Sequence, residues 1–596
     1  MKIFLRFFDL LTPNERKKAY YLFLMILLMG IIDVLGIGSI LPFMAVIAQP
    51  DIIDKNIYIS SLYSFSQANS KQEFYIFFGL IVFSILIFSL LFKSLTTFFQ
   101  IKFVMMREYS ISKRLVEGYL KQPYEWFLEK HSADLGKNVL SEVNALILNG
   151  FMPCLIIIAN GVIVVFIIAL LFAVDSKLSI ISAIFVSIFY ILTYKLLSIN
   201  LSKYGELRLQ SNKERFTAIS ETFDIIKEVK ANNLEKFSLE KFSIPAKVFA
   251  DNQTKVEVIS QLPRFIFEAF AFGGMLLIML YFISSSGNFN NVIPIISLFA
   301  LAGYRILPSA QMIYRSVAQI KYITPVLKNV HEDIKKLNTI KNYSQDSKVI
   351  NIKDTIEIKD LYFKYNNSDK NILKNINIRI NVGDVIGLVG KTGSGKTTIV
   401  DILLGLLMPK QGELIVDGLK ISSQNLKSWQ SLIGYVPQDI YLIDGTIKTN
   451  IAIGVEEKDI DNQLLIRAAK IANLHDLVIN EFKNGYNSFI GEKGVKLSGG
   501  QKQRIGIARA VYNDPKVLIL DESTSSLDSI TEKSVMESIL KFNSDITVVI
   551  IAHSLNTLRG CNEIFVLENG EVIDKGNFGE LSKRNDLFQS VVSLKN

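Results

Sequence analysis

Residues Gly390-Lys391-Thr392-Gly393-Ser394-Gly395-Lys396-Thr397 carry the spacing of a P-loop. In such a loop the glycines let backbone N–H groups wrap a β-phosphate, the lysine reaches the β/γ oxygens and the hydroxyl after it holds Mg²⁺. Here these are Lys396 and Thr397, with Gly390, Thr392, Gly393, Ser394, Gly395 and Thr398 completing the cradle. The chemistry implied is binding of ATP with Mg²⁺ and release of its terminal phosphate. A second glycine-bearing segment, Leu497-Ser498-Gly499-Gly500-Gln501, follows downstream.

Apolar runs must position these groups. Val385-Ile386-Gly387-Leu388-Val389 leads into the loop, and a helix is expected from Thr397 to Leu407, the strand–loop–helix order that supports a P-loop reading. Val517-Leu518-Ile519-Leu520 reads as a buried strand ending in Asp521-Glu522. Side chains alternate along a strand, so the two carboxylates can take different tasks: Asp521 supporting the Mg²⁺ shell, Glu522 polarising the attacking water. The bland alternative is a pair of solvated turn carboxylates. Val548-Val549-Ile550-Ile551-Ala552 delivers His553 to the same edge, where ligands of open α/β sheets gather. A lone histidine is usually structural, but this placement points to a γ-phosphate contact.

The chain has 596 residues, too long for one core, and its long apolar runs lie almost entirely before residue 325. Six are long enough to cross a bilayer as helices, near 19–48, 74–99, 143–173, 178–199, 262–284 and 292–316. Lysine and arginine crowd the amino terminus and the connections after the second and fourth runs, which puts these, both termini and the ATPase half in the cytoplasm. The net charge of +9 suits a basic rim against anionic lipid, and no nucleic-acid partner is expected. Cys154 and Cys561 are too distant in architecture to pair. Residues 3–11 read either as a short helix on the inner membrane surface or as a frayed terminus. The expected division is a membrane domain over 1–330, a linker over 331–355 and a soluble domain over 356–596.

Residues 356–590 resemble the nucleotide-binding domain of an ATP-binding cassette transporter. The fold class implied is a membrane all-α six-helix exporter domain followed by an α/β P-loop ATPase domain of the ABC type. The resemblance places Tyr365 on adenine, with Tyr362 or plain strand packing as alternatives, and gives Gln438 an Mg²⁺ contact that senses the membrane domain. It makes Ser526-Leu527-Asp528 the loop that crosses to a partner. It also has Ser498, Gly499, Gly500 and Gln501 cap the nucleotide held by the opposite domain, at a helix N-terminus that favours anions. One cassette per chain then requires a homodimer with two ATP molecules. A departure lies at Phe489, where the family's exporters often carry glutamate, and it bears on one contact between cassette and membrane domain. Gln122 to Phe127 and Glu221 to Lys230 are candidate coupling segments.

Arg264, Arg305 and Arg315 sit in or near apolar spans. A guanidinium at the centre of a span costs roughly 3 kcal/mol on insertion scales, so such residues face a wet cavity or a partner. Arg315 lies about 15 Å further along a helix than Arg305 and roughly 80° round it, so the two are expected to line one side of a cavity. Pairing with Glu268, or a snorkelling position near the inner surface, is the alternative for Arg264 and Arg305. Arginine in an apolar chamber suits a pyrophosphate head group. These segments, with Leu11 to Lys18 and the connection Gln49 to Lys71, resemble the PglK-type flippases of lipid-linked oligosaccharides. Met312 departs from their pattern, standing where another basic residue is expected. The resemblance implies a bacterial inner-membrane exporter whose partner is a lipid-linked glycan. Export of amphipathic drugs, peptides or other lipids is the alternative, and an ATP-gated sensor or channel a further class.

Overall fold

The computed structural model describes all residues except 1, 175, 177–178, 181–183, 185–199, 267, 270–272, 274–275, 277–292, 338–349, 367, 523–528, 543–545, 552–554 and 594–596. The chain divides into two compact units, Met1–Gln122 with Lys130–Ile340, and Pro123–Glu129 with Lys341–Asn596.

The first unit is helical. Thr12 caps the helix Pro13–Gly38, its N–H donating to Glu15 Oε2 at 2.8 Å, and proline at the first helical position loses no hydrogen bond. Glu15 in turn pairs with Arg107. Lys71–Leu120 is one helix of 50 residues. At 1.5 Å per residue it spans about 75 Å, more than twice the hydrocarbon thickness, so the expected run 74–99 is only its apolar portion. The segment Ser132–Val174 is interrupted by two π-helical stretches, Asn138–Glu142 and Ile147–Phe151, before it settles into the apolar helix Met152–Val174. Leu22, Ile26 and Met29 pack with Ile163, Ile167 and Leu171. Polar helices Leu201–Asp224 and Glu235–Gln261 follow, then the 45-residue helix Ile293–Leu337.

Among the described residues three helical segments are long and apolar enough to cross a membrane: Pro13–Ala48, Lys71–Leu120 and Ser132–Val174. The expected spans at 178–199 and 262–284 lie largely outside the described residues. Residues Lys2–Asp9 are a helix, not a frayed end, because Phe7 is buried edge-on against Phe151 at 5.0 Å and Leu10 is buried just beyond. The connection between the first two spans folds into short helices, including Ile57–Ser66 capped by Asn56.

The second unit is α/β. An antiparallel sheet has the order β2-β1-β4-β5, built from β1 (Thr355–Phe363), β2 (Leu373–Asn381), β4 (Gln411–Val416) and β5 (Leu419–Lys420). A six-stranded sheet has the order β10-β9-β3-β8-β7-β6. Its members are β3 (Val385–Gly390), β6 (Ile433–Val436), β7 (Val517–Asp521), β8 (Thr547–Ile551), β9 (Glu563–Glu568) and β10 (Glu571–Gly576), with only β10 antiparallel to its neighbour. All residues of β3, β7 and β8 are buried. That is why these strands read as continuous apolar runs. Cys154 and Cys561 are both buried free thiols.

Candidate functional site

Strand β3 ends at Gly390 and the chain turns through Gly393 and Gly395, whose φ of +80° and +103° are left-handed. Gly395 then caps the helix Lys396–Leu403. The helix stops short of the expected Leu407, because Gly405 is left-handed and the N–H groups of Leu406 and Leu407 both turn back to Asp401 O. Lys396 is 8% exposed, and its ammonium donates to Gly390 O at 2.8 Å and Lys391 O at 3.0 Å. Burial lowers its pKa, while Glu522 and Asp521 act the other way. Ser394 Oγ is buried without a hydrogen-bond partner. A buried hydroxyl in want of a partner and a lysine folded onto its own loop fit a phosphate at this turn. Thr392 and Thr397 are exposed on the same loop, and Thr398 Oγ1 lies 3.4 Å from Tyr365 OH. Tyr365 also meets Phe363 edge-on at 5.1 Å, so it is partly engaged in packing.

The carboxyl ends of the parallel strands bring the other groups in. Asp521 closes β7, 6% exposed, with its pKa raised by burial first and by Glu522 second. Tyr435 of β6 hydrogen-bonds to it, and the tyrosine's own pKa is pushed upward by burial and by Asp521. Glu522 adopts a left-handed φ of 48°, fixed by its N–H donating to Ile551 O at 3.1 Å. That conformation is rare for a residue with a side chain. Its carboxylate accepts from Gln438 Nε2 at 2.8 Å. The expected metal-facing and water-facing residues thus meet at one edge. Thr397, Gln438 and Asp521 would hold Mg²⁺ there. His553 and Asp528, with Ser526 and Leu527, lie outside the described residues.

Ser498 caps the helix Gly499–Val511 reciprocally: its N–H donates to Gln501 Oε1 at 2.9 Å, and Gln501 N–H donates to Ser498 Oγ at 3.2 Å. Gln501 Nε2 continues to Glu481 at 3.1 Å. Gly499 and Gly500 form the first turn, the donor-rich end of the helix dipole. Phe489 is exposed and its backbone pairs with Thr446 as an isolated bridge. Within the second unit, Asn366 N–H donates to Glu125 Oε1 at 3.3 Å, so the candidate coupling segment that carries Glu125 groups with the α/β domain.

Each candidate substrate arginine has a carboxylate neighbour. Arg264 Nε donates to Glu268 at 2.8 Å, the alternative weighed for it above. Arg315 donates to Glu257 at 2.7 Å, and Arg305 lies 3.9 Å from Asp33. Sequence reasoning missed three groups. Asp33 is an ionisable residue inside the first apolar span, a signal in itself. Asp401 lies four residues after Thr397, hence on the same helix face. Tyr435 gave no signal beyond its place near Gln438.

Comparison with known proteins gives two family matches: ABC transporter transmembrane region over residues 55–304 and ABC transporter over 373–525. The leukotoxin translocation ATP-binding protein LktB of Pasteurella haemolytica-like sp. (strain 5943B) is 40% identical over 235 residues, 39% of this chain and 33% of that protein. LktB of Mannheimia haemolytica is 39% identical over 245 residues, 41% of this chain and 34% of that protein. The chain thus spans about a third of the length of the curated relatives it matches. A solved structure of a bacterial Atm1-family ABC exporter with ATP bound has a TM-score of 0.78 at 20% identity, covering 97% of this chain and 99% of that one. At that identity the likeness is one of fold. The two matches lie on one chain, which thus carries an ABC transporter transmembrane region followed by an ABC transporter ATPase region, in the fold of an ABC exporter.

Proposed function

We propose that the chain acts as a homodimer in the bacterial cytoplasmic membrane and uses ATP hydrolysis to flip a polyprenyl-pyrophosphate oligosaccharide from the inner to the outer leaflet. The observation that carries the cargo is the pair Arg305 and Arg315 on one membrane-domain helix, each held by a single carboxylate, Asp33 and Glu257. A pyrophosphate takes a guanidinium bidentately as a carboxylate does, but carries more negative charge and more acceptor oxygens, and so can displace one carboxylate.

In the ATPase half, Lys396 turns from its own loop carbonyls to the β/γ-phosphates, and the loop N–H groups and Ser394 Oγ bind the phosphate oxygens. Mg²⁺, when bound, neutralises charge on those oxygens. Glu522, oriented by Gln438, accepts the proton of the water that attacks the γ-phosphorus, as the bond to the β–γ bridging oxygen breaks. His553 contacts the γ-phosphate, Asp528 crosses to the partner, and Tyr365 stacks on adenine. The donor-rich turn at Ser498 and Gly500 closes on the nucleotide of the opposite protomer, which is why two chains are needed.

A polypeptide cargo is the second reading, because the relatives named above are leukotoxin translocation proteins. ATP hydrolysis by the purified dimer in lipid nanodiscs separates the two. Saturable stimulation by a polyprenyl-pyrophosphate oligosaccharide, lost in Arg305→Ala, supports the flippase. Stimulation by unfolded polypeptide or by every amphiphile alike overturns it.

A further inference from the structure

The first unit contains a cavity of about 270 Å³ that is lined by Arg208 but by none of Arg264, Arg305 and Arg315. Its wall is polar and mostly neutral: Ser141, Asn144 and Asn149 from one segment, Gln253 and Gln319 from two others. The two π-helical stretches build this wall, Asn138–Glu142 contributing Ser141 and Ile147–Phe151 contributing Asn149, with Asn144 between them. Such widened turns recur at functional sites.

The two charged residues of the lining, Arg208 and Glu257, are already matched. Arg208 holds Glu142, whose other oxygen accepts from Asn212 at 2.6 Å, and Glu257 holds Arg315. Neutral groups are what remain. Asn144 and Asn149 commit only Nδ2, to Glu108 at 3.1 Å and to Ala145 O at 3.3 Å. Among the described residues the amides of Gln253 and Gln319 make no hydrogen bond within the protein. Phe249 and Tyr322 add aromatic surface. Amides offer donors and acceptors together, so this set matches hydroxyl groups of a neutral ligand, while the guanidinium in the lining, Arg208, is buried against Glu142 and so less open to an anion than the half-exposed Arg315, and an acyl chain would need an apolar wall.

We propose that this chamber binds the sugar part of a lipid-linked glycan. Glu257 is the junction, since it lines the cavity and also holds Arg315. A pyrophosphate that takes Arg315 from Glu257 brings the first sugar to Gln253 and Gln319. The link to Arg315 rests on the cargo reading above, whereas the sugar site rests on the chamber itself.

The test is saturation-transfer NMR on the full chain in nanodiscs with free chitotetraose as the probe. Transfer to the sugar is expected, with about fivefold weaker binding in Gln253→Leu and in Gln319→Leu, each losing one net hydrogen bond. Both variants are first checked for the wild-type thermal midpoint; should one fail, the other carries the test. No transfer to the wild type, or equal transfer in a folded variant, overturns the chamber. ATPase stimulation by bare polyprenyl pyrophosphate and by its glycan-bearing form is measured in parallel. If neither lipid stimulates while variant-sensitive sugar transfer persists, the cargo reading falls and the chamber stands. If both stimulate and no sugar transfer occurs, the chamber falls and the cargo reading stands.

Discussion

Arg305 lies 3.9 Å from Asp33, a carboxylate that is only 2% exposed inside the first membrane-domain helix and that also accepts from Ser89 at 3.3 Å. Asp33 Oδ2 has no hydrogen-bond partner. The buried carboxylate therefore depends on the guanidinium for charge balance. Arg305→Ala is expected to lower the thermal midpoint as well as to abolish head-group stimulation, because removing one member of a buried pair costs about 3 to 5 kcal/mol, less here since the arginine is partly exposed. Adding Asp33→Asn to Arg305→Ala should restore most of the midpoint without restoring stimulation. A double variant no more stable than Arg305→Ala would show that the pair does not balance charge.

The hydrogen bond from Gln438 Nε2 to Glu522 Oε2 at 2.8 Å orients the carboxylate expected to act as base. Glu522→Gln is expected to keep ATP binding and lose turnover by on the order of 10² to 10⁴. Gln438→Ala should lose less. Combined, the two should cost little more than Glu522→Gln alone, since an orienting group has nothing left to orient. Additive losses, measured as ATPase rates at saturating Mg²⁺ and ATP, would show that Gln438 acts chiefly through Mg²⁺ and not by orienting Glu522.

Two P-loop glycines differ in what surrounds them. A Cβ at Gly393 would meet nothing within 4 Å, so alanine there costs only the left-handed backbone, about 1 to 2 kcal/mol. A Cβ at Gly395 would stand 2.5 Å from Leu373 Cδ2, adding overpacking to the same backbone cost. Gly395→Ala should therefore lower the thermal midpoint and weaken binding of a fluorescent ATP analogue more than Gly393→Ala. The reverse order would place the strain elsewhere in the loop.

The nucleotide edge was legible because each of its parts has a local signature. Strands β3, β7 and β8 are buried on both faces and so are written as unbroken apolar runs ending at Gly390, Asp521-Glu522 and the residues before His553. The reciprocal cap of Ser498 and Gln501 is likewise a spacing of three residues. Helix limits were less legible. Lys71–Leu120 runs past its apolar portion on polar turns closed by pairs such as Lys121 with Glu117, which no hydropathy pattern marks. The partners of the membrane arginines were hidden for a different reason. Asp33 with Arg305 and Glu257 with Arg315 join helices remote in sequence, and their pairing depends on packing that a single chain of letters does not encode. The π-helical stretches have no compositional signature at all.

Asp401 carries a pH dependence whose sign is fixed by its surroundings. Burial first and Asp521 second push its carboxyl up from the ordinary 3.8 to about 6. An acid raised on folding holds its proton in the native state over a window where the unfolded chain has lost it. Stability is therefore greatest below the unfolded value and falls as pH rises through the native one. Asp521, also raised, adds a slope of the same sign. Both tryptophans lie in the second unit, Trp126 in Pro123–Glu129 and Trp429 fully buried with Nε1 donating to Leu403 O at 2.7 Å. Tryptophan fluorescence thus follows unfolding of that unit in the intact protein. The nucleotide-free midpoint should fall between about pH 4 and pH 7, more gently in Asp401→Asn. Saturating Mg²⁺ and ATP should flatten the profile further, because a cation beside Asp521 favours the charged carboxylates. An Asp401→Asn profile as steep as the wild type would assign the slope to Asp521 or to a group away from the nucleotide edge.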